Sequence, residues 1–276
     1  MQLSLGKVRL LAIALLVFAM ASAATATSAA DKAVPPDPTE DPVLMTAGFL
    51  SAHPDLKYRL MGLDEYRKGN LDDALQFFRR SAFYGDKASQ GMVAEMLWTA
   101  QGVAQDRPLA YAWMDLAAER GYEGFLGLRE RYWAEMDERE RERAIEVGQE
   151  VYAKYGDAAA EPRLAAVLRR ERRSATGSRT GYTGALQIYV PGPGGYQQID
   201  GSKMYDDRYW DPIQYRAWHD SIWMKPRIGK VDVGAVEQVR TDVPASRVPA
   251  TAPQVEAAEP QTPEKDEKDL GTQPTP

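Results

Sequence analysis

Between Asp55 and Gly156 the apolar residues recur at helical spacing. In "DLKYRLMGLDEYRKGN", Leu56, Leu60, Leu63 and Tyr66 fall near a 3.6-residue period, and Gly69 supplies a stop. The next stretch, "NLDDALQFFRRSAFYGD", places Ala74, Phe77, Phe78, Ser81 and Ala82 on one face. Asn70 stands as an N-cap, Asp72 and Asp73 sit where the helix dipole favours acids, and Gly85 lies just past the end. The pattern predicts a pair of helices joined by a tight turn.

That pair repeats. A shift of 36 residues puts Ala110 on Ala74, Trp113 on Phe77, Ala118 on Ala82 and Gly121 on Gly85. Earlier in the unit the shift is 32, with Ala94 on Gly62 and Trp98 on Tyr66, so the second copy carries extra loop residues around "QGVAQD". A period of this size with two helices per copy marks a helical solenoid. In the second copy Gly102 lets the chain turn, Asp106 caps the helix that follows, Pro108 fits its first turn, and Trp113 fills the space between helices. The string Gly102, Val103, Asp106, Ala110, Trp113, Ala117, Ala118 and Gly121 resembles the Sel-one-like repeat, a relative of the tetratricopeptide repeat. The first copy lacks the Gly-Val-x-x-Asp loop and has Phe77 for the Trp, so the resemblance covers roughly residues 55–122. It implies an α-hairpin solenoid that presents a concave surface to a protein or peptide.

Two further helices are expected to cap this array. One is marked by Phe125, Leu128, Tyr132 and Met136, the other by Ala144, Ile145, Val147, Val151, Tyr152 and Tyr155. The repeat domain then covers 55–156. Residues 157–180 read as a helical linker ending in the basic run "RRERR" at 169–173. Residues 181–240 read as a small mixed β-β-α-β module. "GALQIYV" and "YQQI" are its paired strands, a helix runs from Asp211-Pro212 to about Trp223, and "RIGKVDVG" is a last strand. The fold class expected is thus mainly α, with this mixed module and a disordered tail behind it.

The ends differ in composition from the middle. Residues 1–23 place Lys7 and Arg9 ahead of an apolar run from Leu10 to Met20, then Ala21-Ser22-Ala23, the form of a cleaved secretory signal peptide with no stable membrane anchor. Residues 24–54 read as a flexible leader and 241–276, rich in Pro, Thr and Gln, as a disordered tail. An exported chain without cysteine must be held by packing alone, which suits the periplasm of a Gram-negative bacterium. The formal charge of −6 argues against nucleic acid as a partner.

Candidate chemistry is sparse. No cysteine nucleophile and no Gly-x-Ser-x-Gly elbow exists. His53 and His219 lack ligand partners at i+3 or i+4, so no metal site and no cofactor is expected. A hydrolase would need a single cleft gathering His219 with two carboxylates. Arg179 in "TGSRTG" has the ingredients of an anion-cradling turn without the context of a phosphate loop. The aromatic group Tyr205, Tyr209, Trp210, Tyr215, Trp218 and Trp223 could stack on a sugar or serve as core. Candidate partner-binding residues are therefore Tyr205, Tyr209, Trp210 and Arg179. The expected function is a non-enzymatic periplasmic adaptor or scaffold. The alternative is a cell-envelope glycan (peptidoglycan) binder that uses exposed Tyr209 and Trp210.

Overall fold

The computed structural model describes residues 47–176, 187–192, 195–200, 205–224 and 243–263, all within one compact unit that spans Pro35–Pro276. The signal peptide, most of the leader, Arg179, the strand expected at "RIGKVDVG" and residues 264–276 lie outside the described residues. What is described is mainly helical.

Helix α1 spans Ala47–Ala52 and α2 spans Pro54–Lys68, the latter closed by Gly69 at φ +83°, a left-handed conformation that favours glycine. Helix α3 (Leu71–Phe83) buries Ala74, Phe77, Phe78, Ser81 and Ala82, the five residues of the expected apolar face. Asn70 precedes α3, but its amide donates to Glu65 Oε2 at 2.7 Å instead of capping the helix through its side chain. Helix α4 (Lys87–Thr99) opens on Asp86, whose carboxylate accepts from the Ser89 amide at 2.8 Å.

Helix α5 (Arg107–Ala117) starts at the expected cap, with Asp106 accepting from the Leu109 amide at 3.0 Å. It continues through a 3-10 turn to Gly121 at φ +77°. Helix α2 packs on α3, α3 on α4, and α4 on α5. Gly102, at φ +67°, is needed for space as well as for conformation, because a Cβ there would lie 2.4 Å from that of Leu71.

Helices α6 (Glu123–Glu135) and α7 (Glu138–Tyr155) both pack on α5, and Asp137 with Glu140 forms a capping box at the start of α7. Trp113 meets Tyr155 of α7, with ring centroids 4.5 Å apart. One core cluster thus joins α3, α4, α5, α6 and α7.

Four boundaries differ from the expected ones. The end of the leader is structured: α1 buries Phe49 (0% exposed) and Leu50, a cluster too small to register in sequence because its partners come from residues 209 and 210. Helix α8 (Asp157–Thr176) is no linker. It buries Ala159, Ala160, Ala165 and Leu168 and packs on α1 and α7.

The 181–240 segment does not stand apart either. Strands β1 (Gln187–Gly192) and β2 (Gly195–Asp200) pair antiparallel, with Val190 opposite Gln197. The short α9 (Asp207–Trp210) and α10 (Pro212–Trp223), by contrast, share a hydrophobic cluster or contacts with α1, α2 and α8. Finally, residues 243–263 of the expected disordered tail lie along the helices. Their apolar content is low, but arginines of the helical body bind their backbone carbonyls. Among the described residues no helix is long and apolar enough to cross a membrane.

Candidate functional site

Of the four predicted binding residues, Tyr209 (7% exposed) and Trp210 (2%) are core. Trp210 meets Phe49 edge-on at 6.3 Å, and the Tyr209 carbonyl oxygen lies 2.8 Å from His53 Nε2. Tyr205, half-buried, stacks on Trp210 at 5.2 Å. The exposed aromatic platform expected for a glycan is therefore corrected: the polar "DDRYWD" setting hid that α9 turns both rings inward. Arg179 lies outside the described residues.

The junction beneath these rings is electrostatically unusual. His53 sits between the carbonyls of Phe49 and Tyr209, both at 2.8 Å. Burial outweighs the help these carbonyls give to the charged ring and lowers its pKa to about 4. Asp55, also buried, accepts from the Tyr215 hydroxyl at 2.7 Å. Burial is the main force raising its pKa to about 7. Asp86 adds to it, while the Tyr215 bond, the Leu56 amide and Arg59 oppose it.

A cavity of about 520 Å³ lies beside this junction and gathers His219 with Asp55, Asp86, Asp157 and Glu161. The cleft that a hydrolase would need is thus partly assembled, and two of its carboxylates, Asp157 and Asp86, are engaged by cations. Asp157 accepts from Arg120 at 2.8 and 3.0 Å and pairs with Lys87 at 3.0 Å. Although burial pushes the other way, these cations hold its carboxyl well below the usual carboxylate range. Asp86 caps α4 and pairs with Arg59 at 3.2 Å. The Asp157 cluster, with Arg216 of α10 at 3.6 Å, ties α10 to the body.

A second arrangement lies on the helical body, where residues 243–263 run back from α5–α7 toward α2 and α3. Asp115, the lone acid in the apolar run "PLAYAWMDLAA", is fully buried on α5 and pairs with Arg129 of α6 at 3.2 Å. Arg129, also fully buried, donates as well to the carbonyls of Pro244 (2.7 Å) and Ala245 (2.8 Å) and, through Nε, to Glu130 Oε1 at 2.9 Å. The second carboxylate oxygen of Asp115 accepts from Ser246 Oγ at 2.6 Å and from the Tyr152 hydroxyl at 3.1 Å.

Arg247 then enters a box of carboxylate and aromatic groups. It donates to both Glu130 oxygens, at 2.6 and 2.8 Å, and to the Tyr111 hydroxyl at 3.1 Å, with its guanidinium 4.7 Å from the centre of the Trp133 ring. Although partial burial pushes the other way, Arg247 and Arg129 hold the Glu130 carboxyl below its ordinary value. Val248, 7% exposed, rests against Gly148 of α7, where a Cβ would come within 2.5 Å of its Cγ2.

Farther along, Arg163 of α8 donates to the carbonyls of Gln254 and Val255, the latter at 2.6 Å, and the Gln254 amide donates to Ala153 O at 2.5 Å. Arg80 of α3 closes the path, holding Glu259 and Thr262, each at 2.6 Å, beside Tyr58 of α2.

Sequence reasoning missed this groove. The available signals were the acid inside an apolar helix and Arg129, an arginine on the face set by Phe125, Leu128 and Tyr132. Buried charges at such positions need partners. No family model, curated protein or solved structure matches the chain.

Proposed function

We propose that this protein is a non-enzymatic adaptor of the Gram-negative periplasm. In this reading α2–α5 are two Sel-one-like repeats of a tetratricopeptide-like solenoid, capped by α6 and α7, and the array holds an extended polypeptide in its groove. The observation that carries it is the seating of Pro244–Val255, whose main-chain carbonyls meet the guanidinium groups of Arg129 and Arg163. Extended peptides are recognised in this way, with the backbone supplying a general grip and a few side chains supplying selectivity. The glycan alternative loses its platform with the burial of Tyr209 and Trp210.

A photo-crosslinking residue placed at Tyr58, beside the place where Arg80 holds Glu259 and Thr262, tests the reading in periplasmic fractions of cells that express the full chain. Adducts with other polypeptides support it. Adducts with glycan alone, or an absence of the chain from the periplasm, would sink it.

A further inference from the structure

We infer that the groove selects a partner polypeptide bearing an extended Ser-Arg-Val core, and that residues 243–263 are a built-in competitor that must leave before the partner binds. This inference rests on the adaptor reading and concerns the regulation and selectivity of the same groove.

Three of the side chains that the groove reads are consecutive, and Arg80 holds two more, Glu259 and Thr262, farther along. Ser246 reaches Asp115, Arg247 fills the Glu130–Tyr111–Trp133 box, and Val248 takes the space left open by Gly148. The box is acidic and aromatic, so an occupant must bring a cation. Two parallel bonds to one carboxylate, with an aromatic face alongside, match a planar guanidinium better than a lysine ammonium. The cup at Gly148 admits a small branched aliphatic group and closes if α7 gains a single methyl.

Elsewhere Arg129 and Arg163 bind carbonyl oxygens, which any sequence supplies. The groove is thus general where it meets carbonyls and selective at Ser246–Val248 and, at its far end, where Arg80 meets Glu259 and Thr262.

The chain's own segment is a shallow occupant. Val248 is its one buried residue, and Pro244, Ala245 and residues 252–256 are exposed. It belongs to the same chain as the groove, so its contact is intramolecular and acts at a high effective concentration, about millimolar where the connection is short and flexible. A weak contact held at such a concentration blocks the groove, yet it yields to a partner with better complementarity or several such cores.

The test uses the full chain, its Arg247→Glu variant and a fluorescein-labelled peptide of sequence 243–263, read by anisotropy. Arg247→Glu turns the own segment's main side-chain contact into repulsion and leaves the groove intact. The variant should bind the peptide about ten-fold or more tightly than the wild-type chain does, and a peptide carrying Arg247→Ala should lose about ten-fold on that variant. A full-chain Val248→Asp variant, checked for helicity by circular dichroism, should open the groove in the same way.

Equal binding by the wild-type and both variant chains would overturn the competitor while leaving the adaptor reading intact. Equal binding of the two peptides would overturn the selectivity. A concentration-dependent dimer abolished by Arg247→Glu would place a second copy's segment in the groove and overturn the proposal as well. The crosslinking from Tyr58 decides the adaptor reading separately, since a polypeptide partner captured there stands whichever way the peptide titration falls.

Discussion

Two stretches from the last third of the chain rest on the same helical body, and opposite chemistry holds them there. Helices α9 and α10 turn Tyr209, Trp210, Tyr215 and Ile222 into the interior. Residues 243–263 lie on the outside and offer carbonyls and a few polar side chains, Arg247 foremost, with a single valine buried. The first contact is integral because apolar area removed from water has no alternative partner once exposed. The second is exchangeable, because carbonyls and guanidinium groups released from each other are taken up by water at small net cost.

The contrast can be broken most forcefully at Trp210. Trp210→Ala should cost about 3–5 kcal/mol in urea unfolding, since it empties a site packed against Phe49, His53 and Tyr205. A loss below about 1 kcal/mol would mean that α9 is not part of the core.

Asp55→Asn sharpens the comparison through pH. The folded chain holds the Asp55 proton up to about pH 7, whereas the ordinary value is 3.8. Its contribution to stability is therefore complete below about pH 4 and is lost as pH rises through 7. Asparagine cannot ionise, so the melting temperature of the variant relative to wild type should climb between pH 5 and pH 8. A difference that stays constant across that range would show that Asp55 is charged throughout.

Gly148→Ala probes the exchangeable contact. Alanine is favoured over glycine inside a helix by about 0.5–1 kcal/mol, so α7 should hold or gain stability while Val248 loses its place. Faster tryptic cleavage after Arg247 with an unchanged melting temperature is the expected pair of results. The smallest effect should come from Arg247→Ala, which removes a part-exposed ion pair and should shift stability by about 1 kcal/mol or less. A large loss there would erase the distinction between the two stretches.

What could be read from the sequence was local chemistry. Asp106 and Asp211 cap helices where expected, Gly85 and Gly121 take up positive φ, and Trp113 is buried between helices, because each effect is decided within a few residues. The hidden part was pairing at long range. Phe49 needs Tyr209 and Trp210, and nothing in "TAGFLSA" announces partners so far along the chain.

The groove was hidden for a different reason. The Pro- and Thr-rich tail lacks the apolar periodicity that marks packed elements, and its attachment runs through main-chain oxygens that carry no sequence signature. Asp115 and Arg129 were the legible half of it, as charges inside apolar faces that pair with each other and with residues beyond Thr241.

The grip of Arg129 and Arg163 has a consequence for inheritance. Pro244, Ala245, Gln254 and Val255 are held through carbonyl oxygens that all amino acids possess, so their side chains can change with that grip kept. Ser246, Arg247 and Val248 form a short address beside residues held only by their main chain. An address so short is written or erased by a single codon change, in this chain or in any polypeptide that shares its compartment.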